Sequence, residues 1–201
     1  MSDRKVKELD IALFLDELQK RVIIPDNQFT EFLELWEFQK FNRNQFILKA
    51  GEIPKFSIFV LKGCLRQYTV NEKGEESIVY FAEERHWIGD LAAMRNKTIS
   101  NFYFQAIEKC ELLTISAENW EQSFIKFPWW AQAHLTGYQK WAAKMQQQMA
   151  DLHTQTGEVR YLNLLKEKPS LFQRVPQHYI ASYLGISPET LSRIRKKIFN
   201  I

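Results

Sequence analysis

Glu189, Arg193 and Lys196 lie four and three residues apart near the C-terminus, a spacing that brings a carboxylate, a guanidinium and an ammonium to one side of a helix. Turned toward a duplex, the Arg193 fork fits guanine O6 and N7, and the Glu189 carboxylate fits the amino group of cytosine. Around them, Gln177, Ser187, Thr190 and Lys196 are types that hold phosphate oxygens, contacts that set register without reading sequence. His178 and Pro188 complete the candidate DNA-binding set. A blander reading of the same residues stays open. In it, Glu189 and Arg193 are a surface ion pair at i,i+4 spacing, worth about 0.3–0.5 kcal/mol. Arg195, Lys196 and Lys197 are then a solvated face complementing a helix C-terminus.

The stretch that carries these residues favours the first reading. From Gln177 to Ile194 the sequence is QHYIASYLGISPETLSRI, a helix-turn-helix pattern. Ile180, Ala181 and Leu184 form the inner side of a first helix, Ala181 being small enough for a close crossing. Gly185 takes the sharp turn, where positive φ favours glycine, and Ile186 plugs the corner. Ser187 is the N-cap and Pro188 the first residue of a second helix, with Leu191, Ile194 and Ile198 on its inner face. Glu189, Arg193 and Lys196 are left outward. Residues 158–201 hold eight lysines and arginines against three acids, a charge of +5; the other 157 residues, with 19 bases and 21 acids, carry −2. A basic end on a slightly acidic body points to a polyanion bound at that end, and double-stranded DNA is the expected one.

Upstream the texture changes twice. Residues 4–40 read as helix, with Val6, Leu9, Leu13 and Leu18, then Phe29, Phe32, Leu33 and Trp36, at three- and four-residue spacing and Pro25 between the two helices. From Phe41 to about Ile115, short runs rich in Ile, Val, Phe, Tyr and Thr alternate with turn signals at Ala50-Gly51-Glu52, Lys62-Gly63, Asn71–Gly74 and Gly89-Asp90. This predicts an antiparallel sandwich or barrel, its clearest strands being Ser57–Leu61, Leu65–Val70 and Ser77–Phe81. A long helix then runs from Pro128 to about His153. Trp130, His134, Leu135, Tyr138, Trp141, Ala142, Met145, Met149 and Leu152 cover one broad face of it. At roughly 39 Å it is longer than one compact domain needs, and Tyr138, Met145 and Leu152 recur at seven with Trp141 between them. The expectation is a homodimer built on Tyr138, Trp141, Met145, Met149 and Leu152, with Gln148 interrupting a strict coiled-coil seam. Leu152 to Gly157 is the expected hinge, with Thr154 or Thr156 capping the next helix.

Composition excludes several classes. The 201 residues are 45% hydrophobic and 25% charged, with seven glycines and six prolines, which is neither disordered, collagen-like nor low-complexity. Cys64 and Cys110 stand alone, making neither a disulfide framework nor a zinc or iron–sulfur cluster, and this fits a reducing compartment. Met1–Lys20 lacks a signal-peptide core, and nowhere do 18 apolar residues run together, so a cytoplasmic protein with no membrane partner is expected. A cupin-type enzyme needs clustered histidines and a carboxylate, yet of His86, His134, His153 and His178 only His86 lies in the β-rich part. No catalytic residue, metal, cofactor or enzymatic activity is expected.

With a β-rich domain, a long helix and a C-terminal helix-turn-helix in that order, the chain resembles the CRP/FNR family of bacterial transcription regulators from about Phe38 to Lys197. The resemblance rests on Gly51-Glu52, the strand and turn SIFVLKG, Ile88-Gly89-Asp90-Leu91 and SPETLSRIRK. It implies an α+β fold: an N-terminal antiparallel β-roll or jelly-roll sensory domain with its N-terminal helices (1–127), a long dimerisation helix (128–153) and a helical helix-turn-helix domain (154–201). By the same match Glu189 and Arg193 fall on base-reading positions, while Pro188 replaces a frequent base-contacting arginine, so the operator should differ from that of the catabolite activator. The resemblance also sets an effector pocket at Gly89, Asp90, Leu91, Ser100 and Asn101. Cyclic-nucleotide binders of the family clamp the cyclic phosphate with an Arg-Ser or Arg-Thr pair about ten residues after Gly-Glu. Here Ser100-Asn101 stands at that spacing, and Arg95 is five residues early. An anion would lack its bidentate partner, so no response to cyclic AMP is expected. Asp90 either holds a ribose-like hydroxyl or caps a turn.

Iron–sulfur and haem sensing find no support in two scattered cysteines and a solitary His86. Many relatives continue into a β-hairpin wing; the sequence stops at Ile201, so the wing's phosphate contacts are expected to be missing or supplied elsewhere. The reading is a homodimeric, sequence-specific DNA-binding transcription regulator, with RNA polymerase a candidate partner and the small-molecule effector open. The alternative is a ligand-binding sensor module whose DNA binding is lost or secondary.

Overall fold

Short runs of β-branched and aromatic residues, closed by glycine turns, build the N-terminal half as paired strands. The structure, a computed structural model, describes residues 2–25 and 27–199, with side chains from residue 11 onward. Val6 and Leu9, expected on a helix face, lie outside the described side chains. The chain divides into two compact units, Met1–Gln67 with Phe81–Lys140, and Tyr68–Tyr80 with Trp141–Ile201.

In chain order the β-rich part contains α1 (Ser2–Gln19), α2 (Gln28–Leu33), β1 (Glu37–Phe41), β2 (Phe46–Leu48), β3 (Phe56–Lys62), β4 (Leu65–Val70), β5 (Glu76–Ala82), β6 (Trp87–Ile88), α3 (Leu91–Asn96), β7 (Tyr103–Ala106), β8 (Cys110–Ser116) and α4 (Ala117–Lys126). The strands form two four-stranded sheets, ordered β1-β8-β3-β6 and β2-β7-β4-β5. Strand β3 sits between β8 and β6, and Ser57 to Leu61 are all buried. A strand covered on both faces reads as a continuous apolar run rather than an alternating one, as SIFVL does.

The helical reading of residues 4–40 needs one correction, because Glu37–Phe41 is a strand. It pairs antiparallel with β8, Glu37 opposite Thr114 and Phe41 opposite Cys110. Phe29, Phe32, Leu33 and Trp36 keep helical spacing, but the chain tightens through i→i+3 bonds: the amides of Glu34, Leu35 and Trp36 donate to the carbonyls of Glu31, Phe32 and Leu33. Such closures end a helix, and Trp36 is buried beyond it.

The core of the first unit is aromatic. Phe14, Phe32, Trp36, Phe59, Trp120, Phe127 and Trp130 share one cluster with Leu18, Leu61, Leu113 and Ile115. The Phe14 ring lies 4.8 Å from Phe59 and 5.0 Å from Trp36. Each such side chain contributes about 1.5–3 kcal/mol by leaving water. Gly63, at φ 99°, turns the chain into β4; a Cβ there would sit 2.6 Å from Cys110 Sγ and 2.7 Å from the Lys109 carbonyl oxygen. Cys64 and Cys110 are both buried. Burial pushes the Cys110 thiol up to about 11, which keeps it protonated and unreactive.

Helix α5 (Pro128–Thr154) follows, matching the expected span to one residue. Its opening turns bury Trp129, Trp130 and Ala133 in the first unit. The second unit holds the rest of α5 with α6 (Gly157–Glu167), α7 (Leu171–Arg174), α8 (Gln177–Tyr183) and α9 (Pro188–Phe199). Tyr161, Leu164, Lys168, Leu171, Val175, Ile180, Ala181, Leu184, Leu191 and Ile194 are its buried residues on these helices and their caps. It also includes the β4–β5 hairpin tip, closed by Asn71, whose side-chain oxygen accepts from the amides of Lys73 and Glu75, both at 3.0 Å. Within this unit the Ser182 hydroxyl accepts from the Ile78 amide at 3.0 Å and donates to the Glu76 carbonyl at 3.2 Å, covering part of edge strand β5. Among the described residues, no helix is long and apolar enough to cross a membrane.

Candidate nucleic-acid interface

The α8–α9 corner forms as its residues dictate. Leu184 caps α8, Gly185 takes φ 64°, and the amides of Gly185 and Ile186 close back on the carbonyls of Ser182 and Ala181, both at 3.0 Å. Ser187 Oγ accepts from the Thr190 amide at 3.2 Å, and the Ser187 carbonyl accepts from the Leu191 amide at 3.0 Å, so Ser187 is the N-cap and Pro188 the first helical residue. Along α9, Leu191 and Ile194 are buried and Ile198 is half-buried, while Pro188, Glu189, Arg193 and Lys196 are exposed. Gln177 and His178 are exposed at the start of α8, with the His178 ring 4.1 Å from that of Tyr179 and tilted 55° to it.

Local bonds hold the outward groups in place. Arg193 Nη2 donates to Thr190 Oγ1 at 3.1 Å, and the Ser187 and Thr190 hydroxyl oxygens lie 3.2 Å apart. Glu189 draws on its own backbone N–H and then on the Ser187 hydroxyl, which hold its carboxyl below the usual range; the charge of Arg193 acts in the same direction but contributes least. The guanidinium thus leans on Thr190 and the carboxylate on the helix N-terminus. Both point away from the buried face and carry the donors and acceptor that base edges require. Of the expected solvated trio, Lys196 and Lys197 are exposed and Arg195 is not fully so. Lys197 Nζ lies 2.8 Å from both carboxylate oxygens of Glu158 in α6. Arg195 is half-buried, with its Nε out of contact with solvent.

At the expected effector loop, the structure brings Asp90 and Ser100 together. Asp90 caps α3: one carboxylate oxygen accepts from the Ala93 amide at 3.1 Å and the other from Ser100 Oγ at 2.8 Å. Ser100 is buried, its Oγ accepting from the Phe102 amide at 3.1 Å and its backbone bonded to Gly51 and Glu52. Of the two roles open to Asp90, the turn cap is the one present. Gly89 packs on Ser57, Leu91 against the aromatic core, and Asn101 and Arg95 are exposed. The buried cation nearest in type to the missing clamp is Arg66 in β4, whose Nε and Nη2 donate to Gln105 Oε1 at 2.9 and 2.6 Å, with Gln105 bonded in turn to the Asn44 carbonyl. Sequence reasoning passed over it because an arginine in a strand run reads as an outward residue.

On α5, Tyr138, Trp141, Met149 and Leu152 are 42–65% exposed despite their size, and Met145 is half-buried. A cleft of about 280 Å³ lies between the second half of α5, α6 and α8, lined by Lys144, Gln148, Asp151, Arg160, Glu167 and Tyr183 among others. Lys144 pairs with Glu167 there, and Tyr183 Oη donates to Gln148 at 3.2 Å.

Residues 38–126 match the family model of the cyclic nucleotide-binding domain. Over nearly the whole chain, the c-di-GMP-responsive global regulator CLP of Xanthomonas campestris superposes with a TM-score of 0.71 at 18% identity, covering 88% of this chain and 92% of that one. The fold is that of the CRP/FNR regulators. FixK2 of Bradyrhizobium japonicum matches with a TM-score of 0.68 at 16% identity, over 82% of this chain and 85% of its own. The catabolite activator protein of Thermus thermophilus gives 0.54 at 18%, over 88% and 84%. A comparison with curated proteins finds no match. On the CRP/FNR fold, the Asp90–Ser100 pair closes the stretch between β6 and β7, and α8 and α9 form the C-terminal helix pair.

Proposed function

We propose that the chain is a homodimeric, sequence-specific DNA-binding transcription regulator whose β-roll does not answer to cyclic AMP. The observation that carries this reading is the division of α9 into a locked face, Leu191 and Ile194, and an exposed face, Glu189, Arg193 and Lys196. In the major groove Arg193, pre-set by Thr190, grips guanine O6 and N7, and Glu189 accepts from a cytosine amino group. Lys196, Ser187, Gln177 and His178 hold phosphates on either side. Tyr138, Trp141, Met145, Met149 and Leu152 of α5 meet their copies in a second subunit. Ser100 offers a cyclic phosphate no positive charge, and Asp90 already has both oxygens engaged.

A gel-shift assay with genomic fragments, repeated with Arg193→Ala, tests the reading. Binding by the wild type that weakens steeply with salt, and is impaired in the variant, is expected. Failure of every fragment to bind at low salt overturns it, and heat from a nucleotide panel in that case supports a sensor module instead. Calorimetry with cyclic AMP is expected to give no binding heat.

A further inference from the structure

We infer that Arg160 is the positioning residue that braces α9 against the end of α5 and thereby sets the spacing at which two recognition helices read paired half-sites; the inference rests on the DNA-reading proposal. Arg160 lies in the first turns of α6 and is half-buried. Its Nε and Nη2 donate to the carbonyl oxygen of Leu184 at 3.0 and 2.8 Å, and its Nη1 donates to the carbonyl of Gln155. Leu184 is the cap of α8, directly before the Gly185 turn; Gln155 is the first residue after α5. One planar fork therefore spans the expected hinge, satisfying a carbonyl on each side with three donors whose directions are fixed. Its charge also sits where two helices end, the favourable place for a cation.

Two close approaches support the brace. A Cβ at Gly157 would lie 2.7 Å from Ile186 Cγ2, so the start of α6 is pressed on the corner residue. A Cβ at Gly185 would lie 3.2 Å from Leu152 Cδ2, so the corner is pressed on the end of α5. Only Gln155 and Thr156 separate α5 from α6, and Thr156 is itself used as the α6 cap. The segment expected to act as the hinge is thus held by a guanidinium and two close glycine contacts. In a dimer joined along α5, the distance between the two copies of α9 then follows from the geometry of each subunit, and the second half-site binds at an effective concentration set by that rigidity.

Arg160 spends its donors on carbonyls, so its loss should act on geometry and not on charge. The test is fluorescence anisotropy of the full chain on three duplexes: a single half-site, paired half-sites at the selected spacing, and the same pair shifted by about half a helical turn. Arg160→Ala and Arg160→Lys should both keep single-half-site affinity within about twofold and the same salt slope, while the preference for the selected spacing falls by more than about tenfold. Lysine keeps the charge and the stem but reaches one carbonyl at a time, so it should not rescue; it also carries the test if the alanine variant does not fold. A spacing preference unchanged in either variant, a full rescue by lysine, or a salt slope reduced by about 0.9, the mark of a lost phosphate contact, would each overturn the inference. Wild type that binds no duplex removes the DNA reading itself, whereas wild type that binds with unaltered variants removes only the role of Arg160.

Discussion

Arg193 and Lys196 share one exposed face, yet their losses should differ in kind. On the proposed reading, Arg193→Ala removes a fork that reads one base pair: affinity for the preferred site should fall by about 1–3 kcal/mol, discrimination at that position should relax, and the salt slope should stay. On the same reading, Lys196→Ala removes a phosphate contact and should weaken all sequences alike, lowering the slope by about 0.9. Anisotropy titrations at several salt concentrations on matched and single-mismatch duplexes read both effects. Ser187 as cap and Gly185 at positive φ were legible because a cap and a turn depend on residues within four positions. Lys197–Glu158, Arg66–Gln105 and Arg160–Leu184 were not, since their partners lie 39, 39 and 24 residues away and no local pattern announces them.

At the scale of the element, the first turns of α5 and the corner before α9 make separate predictions. Burial, and then the charge of Arg21, hold His134 below its ordinary 6.5, with its ring 4.9 Å from Trp120. The unfolded chain therefore takes up this proton more readily than the folded one. Stability linked to His134 is full above pH 6.5 and declines as pH falls below it. Urea unfolding of the wild type between about pH 7.5 and about pH 5.5 should show that decline, and His134→Phe, which keeps the ring packing, should flatten it. At the corner, Gly185→Ala places a Cβ on a φ 64° backbone 3.2 Å from Leu152 and should cost about 1–2 kcal/mol in thermal or urea unfolding. Strands β3, β4 and β5 and the full length of α5 were legible because their apolar runs are long and bounded by proline or glycine. Strand β1 was not. An edge strand of five residues leaves little alternation to detect, and the helical spacing of Phe29, Phe32 and Leu33 runs on through Trp36 into it. Nor did the wheel of α5 show that Trp130 and His134 pack with the first unit's aromatic rings while Tyr138, Trp141, Met149 and Leu152 stay exposed.

For the molecule as a whole, the proposed function joins a dimer seam on α5 to a pair of reading helices. Trp141 and Met149 are 44% and 65% exposed in the single chain, and hiding the remainder of each in a subunit contact would contribute about 1–2 kcal/mol. Trp141→Glu and Met149→Glu should therefore shift the chain toward monomer in sedimentation and cost more affinity on paired half-sites than on a single one. The CRP/FNR fold was legible from the order of its parts and a few short motifs, whereas the division of the chain into two units, with the β4–β5 tip grouped with α6–α9, was not, because it rests on long-range contacts such as Ser182 with Ile78. The measurement that bears most directly on the account is selection of bound fragments from the source genome by the full chain, followed by alignment of the enriched sequences. A two-fold symmetric site with half-sites about one helical turn apart, in which one base pair of each half-site ceases to be enriched when Arg193 is replaced by alanine, is the predicted result. Enrichment of no common sequence, or of one that the alanine variant selects equally well, would contradict it.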